Sequence, residues 1–196
     1  IDAGNSRLKW ASLDAGQRSP QQALAYGDHS PQAGTLQHLQ TLLAQQTVEH
    51  LVLVHVLGSA FTEALTAFCN QVALRLSLIQ PATATYGIEV AYPNPAHFGA
   101  DRLVGLLAAR KLVGAQAVIM IDCGTAVTID AMQADGKHLG GLILPGLQLL
   151  SDALVRRTQA AHMSATPFAD PQVFNDNTLQ AMGSGCLFSL VGALEG

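Results

Sequence analysis

Ile1-Asp2-Ala3-Gly4-Asn5-Ser6-Arg7-Leu8-Lys9 and, 120 positions on, Ile121-Asp122-Cys123-Gly124-Thr125-Ala126-Val127-Thr128-Ile129-Asp130 share one pattern: a strand end, Asp-x-Gly, two small or polar residues, and a second strand with a polar residue, Lys9 or Asp130. The alternation around Gly4-Asn5 reads as a β-hairpin. One Asp-x-Gly says little, because both residues populate every turn. Two matched copies imply two duplicated lobes facing one cleft. The chemistry suits a nucleoside triphosphate. Glycine lacks a Cβ, so backbone N–H groups can approach phosphate oxygens closely. Asn5, Ser6 and Thr125 add donors, Lys9 adds charge, and Asp2 or Asp122 can hold Mg²⁺ directly or through water. No G-x-x-x-x-G-K-[ST] occurs, so the P-loop is excluded.

Outward from the hairpins, strands alternate with helices. Leu36, Leu39, Leu42 and Leu43 have helical spacing, as do Phe61, Ala64, Leu65, Phe68 and Val72. Leu51–Leu57, Leu74–Ile79, Val118–Ile121 and Gly140–Gly146 read as strands, and residues 14–35 as a loop with an edge strand. Tyr92-Pro93-Asn94-Pro95 reads as irregular loop, and helices follow from near Asp101, from Leu147 and from Thr178. Together these predict an α/β layer fold.

A second constellation is Gly99-Ala100-Asp101-Arg102. Asp101 sits where a helix should begin and could simply be its N-cap, worth about 1 kcal/mol. Its functional reading is a general base for an attacking alcohol, with Arg102 clamping a substrate carboxylate in bidentate fashion. None of the seven histidines has metal-ligand spacing such as HExxH. His55 reads as a satisfied core histidine, and His97 as a candidate for the pocket lining.

The 196 residues, 49% apolar and 12% charged, exclude a disordered chain. So few charges suggest that a partner covers some apolar surface, most simply a second copy. A net charge of −4 argues against nucleic-acid binding. The longest apolar run, Leu112–Ile121, is too short to span a bilayer and reads as a buried strand; no signal peptide is legible. Cys69, Cys123 and Cys186, odd in number and widely spaced, point to a reduced, cytoplasmic setting.

Taken together, Asp2-Ala3-Gly4-Asn5-Ser6-Arg7-Leu8-Lys9, Tyr92-Pro93, Gly99-Ala100-Asp101-Arg102, Asp122–Asp130, Gly140–Gly146, Asn177-Thr178 and Ala181–Gly185 resemble the type III pantothenate kinases, a family that includes the Bvg accessory factors. The set runs in family order over essentially the whole chain. The resemblance implies a two-lobed actin-like (ribonuclease H-like) ATPase fold, with an N-terminal lobe over 1–113 and a C-terminal lobe over 114–196. Asp2, Ala3, Gly4, Asn5, Ser6, Arg7, Leu8 and Lys9 would bind ATP phosphates with Mg²⁺, and Thr125 would contact the nucleotide. Asp122 would hold a monovalent cation, K⁺ or NH₄⁺. Tyr92, Gly99, Ala100, Asp101, Arg102 and Thr178 would hold pantothenate, with Asp101 as proton acceptor and 4′-phosphopantothenate, the first committed step toward coenzyme A, as product. A homodimer completing the pocket across its interface is implied, with no nucleic-acid or membrane partner. A strand ending at Asp2 should start earlier, so a few N-terminal residues are expected to be missing; family members also continue past a position like Gly196, so either the chain is incomplete there or the adenosine side of its nucleotide site is degenerate. Two rivals remain at this stage: an accessory regulator of transcription with little kinase activity, and an actin-like kinase for a sugar or acetate.

Overall fold

A computed structural model describes residues 1–27, 29–81, 86–157 and 171–196. The chain falls into two units, residues 1–118 with 131–140, and residues 119–130 with 141–196.

The first unit is built on a five-stranded sheet. β1 (Asp2–Ala3) pairs antiparallel with β2 (Arg7–Trp10), in the hairpin the sequence predicts. The segment expected to be a loop with an edge strand does supply that strand, and folds more fully than its polar composition suggests. It forms a minimal hairpin of β3 (Leu13–Asp14) and β4 (Gln17–Arg18), then β5 (Gln22–Ala25), which takes the sheet edge beside β2. Helix α1 (Pro31–Gln45) also starts earlier than its leucines suggest. Ser30 caps it by accepting from the Ala33 N–H, and Pro31 supplies a φ preset for the first turn.

On the other side of β1 lies β6 (His50–His55), parallel to it, followed by helix α2 (Ser59–Gln71) and β7 (Arg75–Leu78), parallel to β6. The sheet order is therefore β5-β2-β1-β6-β7. A helix between parallel strands is the connection such pairing requires. Leu51 and Leu53 alternate inward along β6 and meet Phe61, Leu65 and Cys69, spaced by four along α2, with Ala3, Leu8 and Leu39 completing the core.

The Tyr92 loop is not wholly irregular, because Pro95–His97 closes one 3₁₀ turn capped by Asn94. Helix α3 (Ala100–Val113) follows and ends at Gly114, whose φ of +73° no β-carbon-bearing residue adopts easily. That stop corrects the expectation of a buried strand over Leu112–Ile121. Leu112 and Val113 finish α3, and the strand begins only at Val118, with Ile119 68% exposed.

β8 (Val118–Cys123), β9 (Ala126–Met132) and β10 (His138–Pro145) form a three-stranded sheet in the order β10-β9-β8. The second unit adds α4 (Leu147–Arg157), which packs on α5 (Thr178–Glu195). Ile121, Leu142, Ile143 and Phe188 stand exposed there, whereas β9 buries Val127, Thr128 and Asp130. All three cysteines are free, Cys69 and Cys186 buried and Cys123 exposed. Among the described residues no helix is long and apolar enough to cross a membrane. His162, one of the histidines weighed for metal spacing, lies outside the described residues.

Candidate active site

The first hairpin sets two opposite charges face to face. Antiparallel register places Lys9 directly across from Asp2, and Lys9 Nζ lies 3.5 Å from Asp2 Oδ2 with both side chains partly open to solvent. The turn closes with the Gly4 N–H donating to the Arg7 carbonyl at 3.1 Å. Asn5, Ser6 and Arg7 are exposed at its tip, whereas Ala3 and Leu8 are fully buried. The side chains of Ala3 and Leu8 therefore belong to the core, and only their backbone is left to serve a ligand.

Asp2 and Lys9 also line a cavity of ≈ 370 Å³ with Gln21, Val54, Ile79 and Val104, a size suited to a small ligand. Burial is the main cause holding the Asp2 carboxyl above the usual carboxylate range; the Asp101 charge adds to it, while Lys9 opposes it. Asp2 and Asp101, both candidates from the sequence, belong to the same unit.

Asp101 is not the N-cap that its sequence position suggests. The cap is Gly99, with no side-chain bond, and Asp101 lies in the first turn of α3. Its Oδ1 accepts from the Arg102 N–H at 2.9 Å, and the carboxylate remains exposed. Gly99 makes this fold-back possible, since a β-carbon there would stand 2.5 Å from Asp101 Oδ1.

Arg102, by contrast, is only 5% exposed. Its Nη1 donates to the Tyr92 hydroxyl at 2.9 Å, and its guanidinium carbon lies 4.6 Å from the Phe98 ring centre and 5.7 Å from that of Tyr92. Two aromatic faces thus hold a cation at the start of the helix that carries Asp101. The sequence gives no sign of Phe98 or of His138, which is fully buried against this pair. His97, weighed for the pocket lining, is exposed and paired with Asn94. His55 is the satisfied core histidine expected, its Nδ1 accepting from Leu57 and its Nε2 paired with Thr62.

The remaining candidates belong to the second unit. Asp122 is the next-to-last residue of β8 and is exposed, and the hairpin closes by a bond from the Gly124 N–H to the Ala126 carbonyl at 2.9 Å. Thr125 is tied to the entry of α4, because the Gly146 N–H donates to its carbonyl at 2.9 Å while the Gly146 carbonyl accepts from Leu150. A β-carbon at residue 146 would run into the Gly124 and Thr125 carbonyl oxygens. Thr178, exposed, is the first residue of α5, behind the Asn177 cap.

Comparisons with known proteins agree on one family. The family model described as type III pantothenate kinase matches residues 1–196. A type III pantothenate kinase of Herminiimonas arsenicoxydans is 35% identical over the whole of this chain and 76% of its own length. Among solved structures, a Campylobacter jejuni protein described as a Baf family transcriptional activator superposes with a TM-score of 0.60 at 19% identity, covering 99% of this chain and 76% of that one. One from Sinorhizobium meliloti, described as a 2-dehydro-3-deoxygalactonokinase, gives 0.62 at 16% identity over 98% and 79%. At these identities the structural likeness is one of mixed α/β fold.

Proposed function

The chain belongs to the type III pantothenate kinase family, and from that premise we propose that it transfers the γ-phosphoryl group of ATP to the hydroxyl of pantothenate, giving ADP and 4′-phosphopantothenate, the first step toward coenzyme A. The framework is the two-lobed actin-like arrangement of duplicated lobes, 1–113 and 114–196. Asp101 accepts the proton as the alcohol oxygen bonds to the γ-phosphorus and the bond to the ADP oxygen breaks. A loose phosphoryl transfer asks for position more than basicity, and an ordinary exposed carboxylate meets that need. Tyr92, Gly99, Ala100, Arg102 and Thr178 hold pantothenate, whose carboxylate is the natural counter-ion for a guanidinium lying against two rings.

Asp2 and the Ala3–Lys9 hairpin hold the ATP phosphates, and Thr125 contacts the nucleotide. The N-terminus of α4 beside Thr125 favours negative charge there. Among the described residues no cluster of three or more His, Cys, Asp or Glu could hold a metal unaided. A lone carboxylate such as Asp2 fits Mg²⁺ that arrives on phosphates, and bound Mg²⁺ supplies neutralisation of phosphate charge. Asp122, a hard oxygen donor, holds K⁺ or NH₄⁺. The enzyme works as a cytoplasmic homodimer that completes the pantothenate pocket across its interface, a reading supported by the apolar side chains exposed on β8, β10 and α5.

The observation that carries the catalytic reading is geometric: an exposed Asp101 carboxylate in the first turn of α3, next to a buried Arg102 whose guanidinium lies against the Tyr92 and Phe98 rings. ADP release by the purified protein with ATP, Mg²⁺ and K⁺, with and without pantothenate, tests it. Pantothenate-dependent release that drops when Na⁺ replaces K⁺ supports both the kinase and the cation site. A folded protein with no such release would sink the reading.

A further inference from the structure

His138 opens β10, 36 positions after Arg102, and is fully buried although no step of the proposed reaction uses it. Its surroundings are specific. The Ala91 N–H, immediately before Tyr92, points to His138 Nδ1 at 3.4 Å. The imidazole centre lies 4.9 Å from Phe98, and the ring is stacked on Tyr92 at 6.4 Å and 29°. These are the two rings that carry the Arg102 guanidinium. Backbone bonds fasten the same region, from Glu89 N–H to the Gly136 carbonyl at 3.0 Å and from His138 N–H to the Glu89 carbonyl at 2.8 Å. The Tyr92 loop is therefore stitched at its start to the entry of β10, and its aromatic face rests on one imidazole.

We propose that His138 is a positioning residue for the Tyr92–Phe98–Arg102 clamp, fixing the guanidinium in the orientation that receives the carboxylate of the substrate. An acceptor at Nδ1 holds the backbone at Ala91, and the ring plane sets the tilt of both aromatics. A hydrogen-bonded clamp loses most of its value when its geometry slips by about 1 Å. The clamp's use for pantothenate rests on the kinase reading above; its geometry does not.

Two measurements separate these claims. In steady-state kinetics, His138→Ala should raise the KM for pantothenate about tenfold while kcat and the KM for ATP stay within about twofold, the signature of lost substrate positioning. His138→Asn, which keeps an acceptor near the Nδ1 position, should recover about a third of that loss. Independently of activity, modification of the full chain by phenylglyoxal, read by mass spectrometry, should find Arg102 protected in the wild type and several-fold faster to react in His138→Ala. Equal protection of Arg102 in both folded proteins, or kcat and both KM values worsening together, would overturn the proposal. If His138→Ala fails to fold, the same two readouts on His138→Asn decide it. A wild type that protects Arg102 but shows no pantothenate-dependent ADP release would defeat the kinase reading and leave the positioning role to the modification experiment.

Discussion

The two hairpins that look alike in sequence differ in what surrounds their aspartates, a charge partner in one and close backbone packing in the other. The first has a three-residue loop, Gly4–Ser6, is anchored by the buried Ala3 and Leu8, and sets Lys9 across the strands from Asp2 as a solvent-open charge pair. The second has a two-residue loop, Gly124-Thr125, no basic residue on β9 to face Asp122, and a backbone pinned from outside by Gly146. One is marked by charge, the other by space. A shared Asp-x-Gly signature thus fixes a turn without fixing what surrounds it.

The largest expected effect probes the charged side. Asp101→Asn should lower kcat by about a thousandfold, in the range of general-base catalysis, with an unchanged melting temperature; undiminished turnover would remove Asp101 from the chemistry. The spatial side comes next. Gly146→Ala should destabilise the protein by about 1–3 kcal/mol through overpacking in thermal or urea unfolding. Gly4→Ala is the sharpening control and should cost less, because its β-carbon would meet only the Arg7 carbonyl, at 3.4 Å. Equal losses at the two positions would erase the distinction.

Lys9→Met tests charge again, at smaller size. It should raise the KM for ATP about tenfold, equivalent to about 1.4 kcal/mol for one charge-assisted contact. Stability should hardly move, since a solvent-open ion pair contributes about 0–1 kcal/mol.

The smallest effect is one of pH. The Asp2 carboxyl is raised above its ordinary value chiefly by burial. The folded state therefore binds that proton more tightly than the unfolded chain does. Stability from this group is full below the ordinary carboxyl pKa and is lost as pH rises through the raised value. Asp2→Asn should flatten that decline in the melting temperature across the weakly acidic range while weakening ATP use. A decline as steep as in the wild type would mean that another group titrates there.

What the sequence revealed follows from how local each signal is. The spacing of Phe61, Ala64, Leu65, Phe68 and Val72 predicts α2 because a helix face is written in consecutive turns, and Val72 proves to be its C-cap. The first hairpin is legible for a similar reason, its alternation and turn residues lying within nine positions. The early start of α1 was also legible, since Ser30-Pro31 is a capping signal that the leucine spacing overshadows. The apolar stretch Leu112–Ile121 misleads because composition cannot show that Gly114 ends a helix inside it. Asp101 misleads because Gly99 caps without a side chain. His138 and Gly146 are illegible for a deeper reason, as each matters through a contact far away in sequence, at Ala91 and Phe98 or at Thr125. The phosphate roles of Asp2–Lys9 and Thr125 rest on donor and charge chemistry together with the family resemblance, the cation role of Asp122 and the substrate role of Thr178 on the resemblance alone, and kinetics of the kind set out above are what decide them.

Cys123 gives the second hairpin a practical use. It is exposed, whereas Cys69 and Cys186 are buried and their thiols are pushed up in pKa by desolvation, so they are slow to ionise near neutral pH. A maleimide dye added to the unmodified chain should therefore attach at one place, one residue from Asp122 and two from Thr125. Such a fluorophore would report nucleotide or cation arrival as a change in intensity, with no cysteine engineered in or removed.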